Sequence, residues 1–143
     1  MSAAIGSEAQ AAFTVTFEQD GANVVATGSG SVFLFGLTFA EEQPATAGII
    51  PSAPELLIGD ASDIDIYTGV LTGPFSFGSG DVTFADSATG DGVGVFNDLG
   101  FVAVPHGYVS GSALSDSMVF DNATFSSLGL TPGTYTWTWG TPG

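Results

Sequence analysis

The sequence predicts an all-β protein, an antiparallel β-sandwich of jelly-roll or immunoglobulin-like type with at most one short helix. Three observations support this prediction. Short apolar segments alternate with polar residues at a period of two, as in half-buried strands. Glycine and serine fill nearly every gap between these segments, at roughly the spacing of a sandwich. The chain of 143 residues is also long enough to bury a sizeable core within one domain.

The first strands are the most clearly patterned. The segment FTVTFE (13–18) alternates strictly between large apolar and polar residues. The dipeptide Asp20-Gly21 and the segment ANVVAT (22–27) follow it, so we predict a hairpin with a type I′ turn. The run SVFLFGLTF (31–39) is apolar and short enough to be a buried strand.

The remaining segments are separated by loop signals. Residues 41–54 contain three prolines and predict a long loop. Further strands are predicted at LLIG (56–59), DIDIYTG (63–69), DVTFAD (81–86), GVGVF (92–96), FVAVP (101–105), SMVF (117–120) and TYTWTW (134–139). The only helical candidate is DNATFSSLGL (121–130), with Asp121 or Asn122 as N-cap and Gly129 as terminator.

Charge and composition exclude several kinds of partner. Fifteen acidic residues face no lysine or arginine, which gives a net charge of -15. Nucleic acid is excluded because phosphate binding needs basic side chains that release counterions. No apolar stretch approaches the ~18–20 residues of a membrane-spanning helix. The absence of cysteine excludes disulfides, zinc–thiolate sites and thiol catalysis.

The two ends of the chain look like the ends of a processed domain. Residues 1–11 lack the basic and apolar regions of an intact signal peptide, but Ala9-Gln10-Ala11 resembles the end of one. We therefore expect residues 1–11 to be a leader remnant and residues 12–143 to be a single sandwich domain. We also expect a final strand to be missing, which would leave Trp137 and Trp139 beside an open edge.

Aspartates are the best candidates for a metal site. Six of them lie in predicted loops or strand ends, namely Asp60, Asp63, Asp65, Asp86, Asp91 and Asp98. Calcium prefers carboxylate and carbonyl oxygens, so a structural calcium ion is the cofactor that this set suggests, and no other cofactor is required. The favoured alternative is a solvated strand face, in which Asp63, Asp65 and Tyr67 point to solvent while Ile64 and Ile66 point inward.

The aromatic residues of the last strand have two interpretations. The segment LTPGTY predicts a tyrosine corner at Tyr135, with a type II turn centred on Pro132 and Gly133. Trp137 and Trp139 then share one face of the strand, and we favour a core position for both. The alternative is a carbohydrate-binding strip of exposed rings that stack on sugars; the candidate contacts are Tyr67, Tyr108, Trp137 and Trp139.

Evidence for catalysis is slight. His106 is the single histidine, and it could be combined with Ser110 or Ser112 in a catalytic triad, but no GxSxG nucleophile elbow is present. We interpret His106 as a loop residue without catalytic duty. A glycoside-active enzyme would need two carboxylates that converge in a cleft. We expect the protein not to be an enzyme.

Several stretches, taken together in order, resemble exported bacterial proteins of the PEP-CTERM sorting class. They are TVTFEQDGANVVATGSGSV, GPFSFGSG and VPHGYVSGSALSDSMVFDNATFSSLGLTPGTYTWTWG, and the resemblance covers most of residues 13–140. It implies export by a signal peptide, processing of a C-terminal sorting tail by an exosortase, and association with exopolysaccharide production. The chain departs from that pattern at both ends, because its 143 residues include neither the signal peptide nor the tail.

The sequence therefore predicts a secreted or cell-surface, non-enzymatic protein with a structural or adhesive role in a bacterial envelope or exopolysaccharide matrix. Its expected partners are a polysaccharide or further copies of itself. Two alternatives remain, a carbohydrate-binding module and a glycoside-active enzyme. Buried tryptophan rings would favour the first prediction over the carbohydrate-binding module.

Overall fold

The computed structural model describes residues 1–7 and 12–140, which form two β-sheets packed face to face. In chain order the strands are β1 (Ser2–Ser7), β2 (Phe13–Asp20), β3 (Asn23–Gly30), β4 (Thr38–Gln43), β5 (Gly48–Ile50), β6 (Glu55–Ile58), β7 (Ile64–Thr68), β8 (Leu71–Thr72), β9 (Thr83–Phe84), β10 (Ser87–Gly90), β11 (Val93–Phe96), β12 (Phe101–Pro105), β13 (Leu114–Phe120) and β14 (Thr134–Trp139). A single turn of helix, α1 (Phe125–Leu128), is the one helix of the described residues. The predicted all-β sandwich with one short helix is confirmed.

The first sheet has the strand order β10-β13-β3-β2-β1-β14-β8, and the second has the order β4-β7-β12-β11-β6-β5-β9. Alternate side chains of both sheets meet in one core. Its largest members are two tryptophans and four phenylalanines, namely Trp137, Trp139, Phe13, Phe17, Phe77 and Phe120. Burial of these rings removes a large apolar area from water and is the main stabilising term of the fold.

Strand β1 lies inside the first sheet and corrects the expected domain boundary. It pairs in parallel with β14 along its whole length and antiparallel with β2. Ala3 and Ile5 are fully buried in the core. The domain therefore includes residues 2–7, because their alternating side chains complete the sheet rather than precede it. The cleavage-like motif Ala9-Gln10-Ala11 lies outside the described residues.

The open edge expected beside the tryptophans is not formed. Strand β1 covers one side of β14, and β8 pairs with Thr138 and Trp139 on the other. The chain segment that follows β8 lies beside Trp137, where no strand of the described residues pairs with β14 on this side. The indole N–H of Trp137 donates to the carbonyl of Pro74 in this segment at 2.8 Å. The expectation of an edge for another chain to cover is therefore wrong at this strand.

The first hairpin is confirmed, but its turn differs from the prediction. Asp20 pairs with Asn23, so the two loop residues are Gly21 and Ala22. Gly21 has a positive φ of 59°, whereas Ala22 does not have a positive φ. A type I′ turn needs positive φ at both central residues, and a glycine at the first position alone is typical of type II′.

The predicted buried strand at residues 31–39 is wrong. Only Thr38 and Phe39 join a strand, and the preceding residues form a loop that turns at Gly36, where φ is 86°. Side chains replace a neighbouring strand here: the backbone N–H of Val32 donates to the Tyr108 hydroxyl, and that of Leu34 donates to Ser110 Oγ. The apolar pattern alone did not show that these backbone N–H groups bind the side chains of Tyr108 and Ser110 instead of a neighbouring strand.

The predicted long loop at residues 41–54 is partly wrong, because it contains the end of β4 and all of β5. Its prolines explain the error. Pro44 follows β4, Pro51 follows β5 and Pro54 precedes β6, so each lies outside a strand and takes no part in the backbone ladder. The prolines therefore mark the ends of short strands rather than a continuous loop.

Strand β7 is buried on both faces, which overturns the predicted orientation of its aspartates. Ile64 and Ile66 form a second small core with Leu57 and neighbouring alanines on the far side of the second sheet. Asp65 is only 6% exposed, and Tyr67 packs against the main core. Only Asp63, just before the strand, is exposed as predicted.

The C-terminal segment agrees with the sequence in most respects. The Tyr135 hydroxyl donates to the Thr131 carbonyl at 2.8 Å, as a tyrosine corner requires. Gly133 has no positive φ, so the predicted type II turn is wrong. Gly129 ends α1 in the left-handed conformation as predicted, but the N-cap is Thr124, which forms a capping box with Ser127.

Candidate functional site

A groove of about 280 Å³ crosses the face of the second sheet that is turned away from the main core. Strands β5 and β6 form its floor, β9 forms one wall, and the segment between β4 and β5 forms the other; we call it the β5–β6 groove. It is lined by Gln43, Ala45, Thr46, Gly48, Ile49, Ile50, Glu55, Leu56, Leu57, Val82, Phe84 and Phe96. Most of these residues are apolar, and Glu55 is the one ionisable group among them. A concave, mostly apolar surface with few polar groups is the usual form of a binding site.

A pair of carboxyl groups lies at the groove. The Glu55 side chain is in hydrogen-bonding contact with that of Asp98, which belongs to the turn between β11 and β12. Partial burial, that hydrogen bond and the charge of Asp98 raise the pKa of Glu55 to about 7.

A second cluster surrounds His106, just after β12. Its Nδ1 lies 2.9 Å from Asp65 Oδ1 and 3.5 Å from Glu42 Oε2. Asp65 Oδ2 accepts a hydrogen bond from the N–H of Gly107, so this buried carboxylate fixes both the ring and the backbone beside it. The hydrogen bond to Asp65 and the charge of Glu42 raise the pKa of His106. His106 therefore lies in a turn as predicted, and two carboxylates hold its ring.

Catalysis by His106 with a serine is not supported by the geometry. Ser110 Oγ accepts a hydrogen bond from Leu34, and Ser112 uses its carbonyl to accept one from Tyr108. Within the described part of the chain, His106 contacts carboxylates and no serine hydroxyl. The triad considered from the sequence is not assembled.

The His106 cluster contains the side chains best placed to hold a metal ion. Glu42, Asp63 and His106 each offer one ligand atom, and these atoms lie within 4.8 Å of one another. Two carboxylates and an imidazole suit zinc or another transition metal better than calcium, which prefers oxygen ligands alone. Asp65 and Glu42 both lie at Nδ1, at 2.9 and 3.5 Å, so a metal ion bound through that nitrogen would have to displace the hydrogen bond to Asp65.

The six aspartates predicted as calcium ligands do not converge on one site. Asp63 and Asp65 belong to the His106 cluster, and Asp98 contacts Glu55. Asp60 and Asp86 line a separate cavity of about 240 Å³, where their carboxylates accept backbone hydrogen bonds from Ser62 and Asp121. Asp91 accepts from the N–H of Ser115 beside β13.

The four aromatic residues predicted for sugar contact do not form an exposed platform. Trp137 and Trp139 are 0% and 1% exposed, and both indole N–H groups donate to backbone carbonyls. Tyr67 lies edge-on to Phe39 with ring centroids 5.7 Å apart. The Tyr108 hydroxyl is occupied, because it donates to Ser112 O and accepts from Val32 N. The core interpretation of the tryptophans is confirmed, and the sugar strip built on them is wrong.

Large apolar side chains are exposed instead at one end of the sandwich, which we call the apolar end. It consists of Phe35, Phe39, Val70, Phe75 and Leu99, all more than half exposed. Hydrogen bonds from Gly69 N to Gly100 O and from Asn97 Nδ2 to Pro74 O hold the loops of this end together. No acidic residue occurs in residues 30–40 or 66–80. Contiguous exposed apolar surface commonly marks an interaction site.

An inward-facing carboxyl on β13 was not anticipated from the sequence. Asp116 lies on the same face of β13 as the buried residues Leu114, Met118 and Phe120, so it faces the core. Both of its side-chain oxygens are buried, and no hydrogen-bond donor among the described residues reaches them. A Cβ at Gly28 would collide with Asp116 Oδ1, so the glycine leaves room for the carboxyl. Burial, followed by the charge of Asp91, raises the pKa of Asp116 to about 7.

These raised pKa values predict a protein that is more stable in mild acid. The folded pKa of Asp116, about 7, lies above its ordinary value of 3.8, so the folded state binds more protons between these values and stability falls as pH rises. Glu55, Glu42 and His106 shift in the same direction. The melting temperature is expected to be roughly 4–8 °C higher at pH 5 than at pH 8. A rise in stability from pH 5 to pH 8 would contradict this.

Asp116→Asn is expected to raise the free energy of unfolding at pH 8 by roughly 1–2 kcal/mol, after allowance for solvent screening of a partly exposed group. At pH 5 the change should be small, because the carboxyl is already protonated in the folded state. Urea unfolding at both pH values measures the difference. Glu18→Gln, which removes an exposed charge from β2, is the matched control and should have little effect at either pH. Equal effects of Asp116→Asn at both pH values would refute the assignment.

Zinc is expected to raise the melting temperature at pH 8, where the imidazole of His106 is available as a ligand. A tenfold excess of free metal over Kd contributes about 1.4 kcal/mol. His106→Gln should abolish the effect, and EDTA should reverse it. Calcium is tested in parallel, because it prefers oxygen ligands alone and was the metal ion predicted from the aspartates. Full stabilisation by zinc in the His106→Gln variant would exclude this cluster as the binding site.

The fold and these sites define the class of protein as an all-β sandwich that carries carboxyl clusters and an apolar end. Comparison of the chain with protein-family models, curated proteins and solved structures gave no significant match. Among the described residues, no helix has the length and apolar character needed to span a membrane.

Proposed function

We propose that this chain is a secreted or cell-surface protein with a non-enzymatic structural or adhesive role in a bacterial envelope or exopolysaccharide matrix. The observation that carries the proposal is the apolar end, where Phe35, Val70 and Phe75 are 72–86% exposed on a protein of net charge -15. Burial of such a patch against a partner stabilises association, while the remaining charge keeps the molecules soluble.

The rest of the molecule supports a scaffold rather than an enzyme. The tryptophans belong to the core, and no serine hydroxyl among the described residues contacts His106. The surface has no lysine or arginine, so trypsin-like proteases have no cleavage point in it. These properties suit long exposure outside the cell.

The proposal is tested by adhesion and self-association of the purified protein. Sedimentation velocity at pH 7 and retention on immobilised exopolysaccharide are measured for the unmodified chain and for Phe75→Ser. We expect the unmodified chain to self-associate or to bind the polysaccharide. In Phe75→Ser the corresponding affinity should fall by at least about fivefold. Thr14→Ser changes an exposed side chain on β2, outside both the apolar end and the β5–β6 groove, and serves as the control.

Two outcomes would overturn the proposal. The first is an unmodified chain that neither self-associates nor binds the polysaccharide, and the second is equal loss in Phe75→Ser and Thr14→Ser. Fractionation of the producing cells tests location separately. Recovery of the protein only from the interior of the cells would contradict a role outside them.

A further inference from the structure

The β5–β6 groove combines an apolar surface with an acidic end. Ile50 and Leu57 contribute apolar surface to it, and the rings of Phe84 and Phe96 line it as well. Glu55 also lines the groove, with Asp98 in hydrogen-bonding contact beside it. The ring of Phe84 is 59% exposed although it adjoins this apolar surface. The surface is therefore suited to a ligand that has both an apolar body and a polar end.

The negative charge at the acidic end of the groove requires that the polar end of the ligand be positively charged. The chain contains no lysine or arginine, so no basic side chain of its own can neutralise Glu55 and Asp98. Partial burial, the hydrogen bond to Asp98 and the charge of Asp98 raise the pKa of Glu55 to about 7. An anion would be repelled, and a cation would favour the ionised form of the pair.

We propose that the β5–β6 groove binds a lysine side chain of a partner protein. The four methylene groups of the lysine lie along the apolar surface and against Phe84, and the ammonium group donates hydrogen bonds to Glu55 and Asp98. Lysine commonly buries its methylene stem on apolar surface while its charge contacts polar groups. Phe96 pairs with Glu55 across β11 and β6 and also lines the groove, so its ring can add a favourable cation–π contribution beside the ammonium.

The size of the groove and the composition of the chain narrow the choice of occupant. Its volume of about 280 Å³ lies at the lower limit of the range of about 300–1,000 Å³ that is usual for drug-sized ligands, so it has room for a single side chain. A second copy of this chain cannot be the occupant, because it has no lysine. A bare metal ion would leave the apolar surface unused.

The direct test is an NMR titration of the full chain with Nα-acetyl-lysine methylamide. Saturable shifts are expected at the backbone amides of Thr46, Gly48 and Phe84, with a Kd on the order of 1 mM for a ligand of this size. The Nε-acetylated analogue has the same apolar chain without the charge, and it should bind at least about tenfold more weakly. Equal affinity for the two analogues, or saturable shifts only outside the groove, would overturn the proposal, as would no saturable shift at about 20 times the expected Kd.

Variants provide a second, independent test. Glu55→Gln is expected to weaken lysine binding at least about tenfold, whereas Glu18→Gln removes the same charge from the first sheet and should leave Kd within about twofold. Phe84→Ser should also weaken binding, and it keeps the proposal testable if Glu55→Gln does not fold. Unchanged affinity in a folded Glu55→Gln or Phe84→Ser variant would refute the site.

Proton release distinguishes a direct contact with Glu55 from a general structural effect. An ammonium group favours the ionised carboxyl, so lysine binding near pH 6–7 should release protons and the affinity should rise from pH 5 to pH 8. Asp98 is the titratable group that acts on Glu55 and belongs to the same response. Calorimetry in buffers of different ionisation enthalpy measures the release, which Glu55→Gln should greatly reduce. Binding without proton release would contradict the contact.

Discussion

Ile5→Asp is expected to destabilise the protein by at least about 4 kcal/mol, and in a marginally stable domain that is enough to unfold much of the population. Ile5 is fully buried in β1, between β14 and β2. The substitution loses about 1.5–3 kcal/mol of apolar burial. It also places a carboxylate in the core of a chain that has no basic side chain to pair with it. Urea unfolding followed by circular dichroism at pH 8 measures the loss.

Ala4→Asp provides the control on the same strand. Ala4 lies between the buried residues Ala3 and Ile5, and its side chain points to the opposite, partly exposed face of the sheet. This variant adds the same charge and is expected to cost less than about 1 kcal/mol. Equal stability of Ile5→Asp and the unmodified chain would mean that residues 2–7 do not belong to the folded domain in solution.

Trp137→Ala is expected to lower the free energy of unfolding by about 3–5 kcal/mol. The side chain is 0% exposed, and its ring packs edge-on against Phe77 at a centroid distance of 5.9 Å. It also stacks on Tyr135 at 6.3 Å and donates its N–H to Pro74 O. The substitution leaves a cavity between the sheets and removes the hydrogen bond that holds the chain segment beside β14.

Phe75→Ala is the control that tests whether the stability lost in Trp137→Ala comes from the burial of the ring rather than from its aromatic character. Phe75 lies one residue after Pro74 but is 84% exposed, so its loss should change stability by less than about 0.5 kcal/mol. Chemical denaturation gives both values under the same conditions. A cost for Trp137→Ala as small as that for Phe75→Ala would contradict the core position of the indole.

The parts of the site that were predictable are those that depend on local pattern. Asp116 could have been found from the alternation of Leu114, Met118 and Phe120, which places it on the inward face of β13. The cluster at His106 could not, because it joins Asp65 to a residue 41 positions later and depends on β4 pairing with β7. Glu42 belonged to a segment predicted as a loop, so its register opposite Asp65 did not follow from the sequence.

The exposure of these apolar side chains also could not be predicted from the local sequence pattern. The run at residues 31–39 is apolar enough for a buried strand, yet Phe35 is exposed because Tyr108 and Ser110 bind the backbone N–H groups of Val32 and Leu34 and hold this part as a loop. Phe39 is also exposed, near the start of the edge strand β4. Strand β7 shows the opposite effect. Asp65 occupies a polar position in the alternation, but side chains from other segments cover both faces of this strand and bury it.

The sequence by itself determined the all-β class, most of the strands, and the core positions of Trp137 and Trp139. Strict alternation and the absence of basic residues are local or compositional properties, and they hold whatever the arrangement of strands. Only the tertiary structure decided that β1 lies inside the first sheet, that Glu55 meets Asp98 and that the apolar end is exposed. Those outcomes depend on which distant segments become neighbours, and pairing across a sheet is set by the packing of the whole chain.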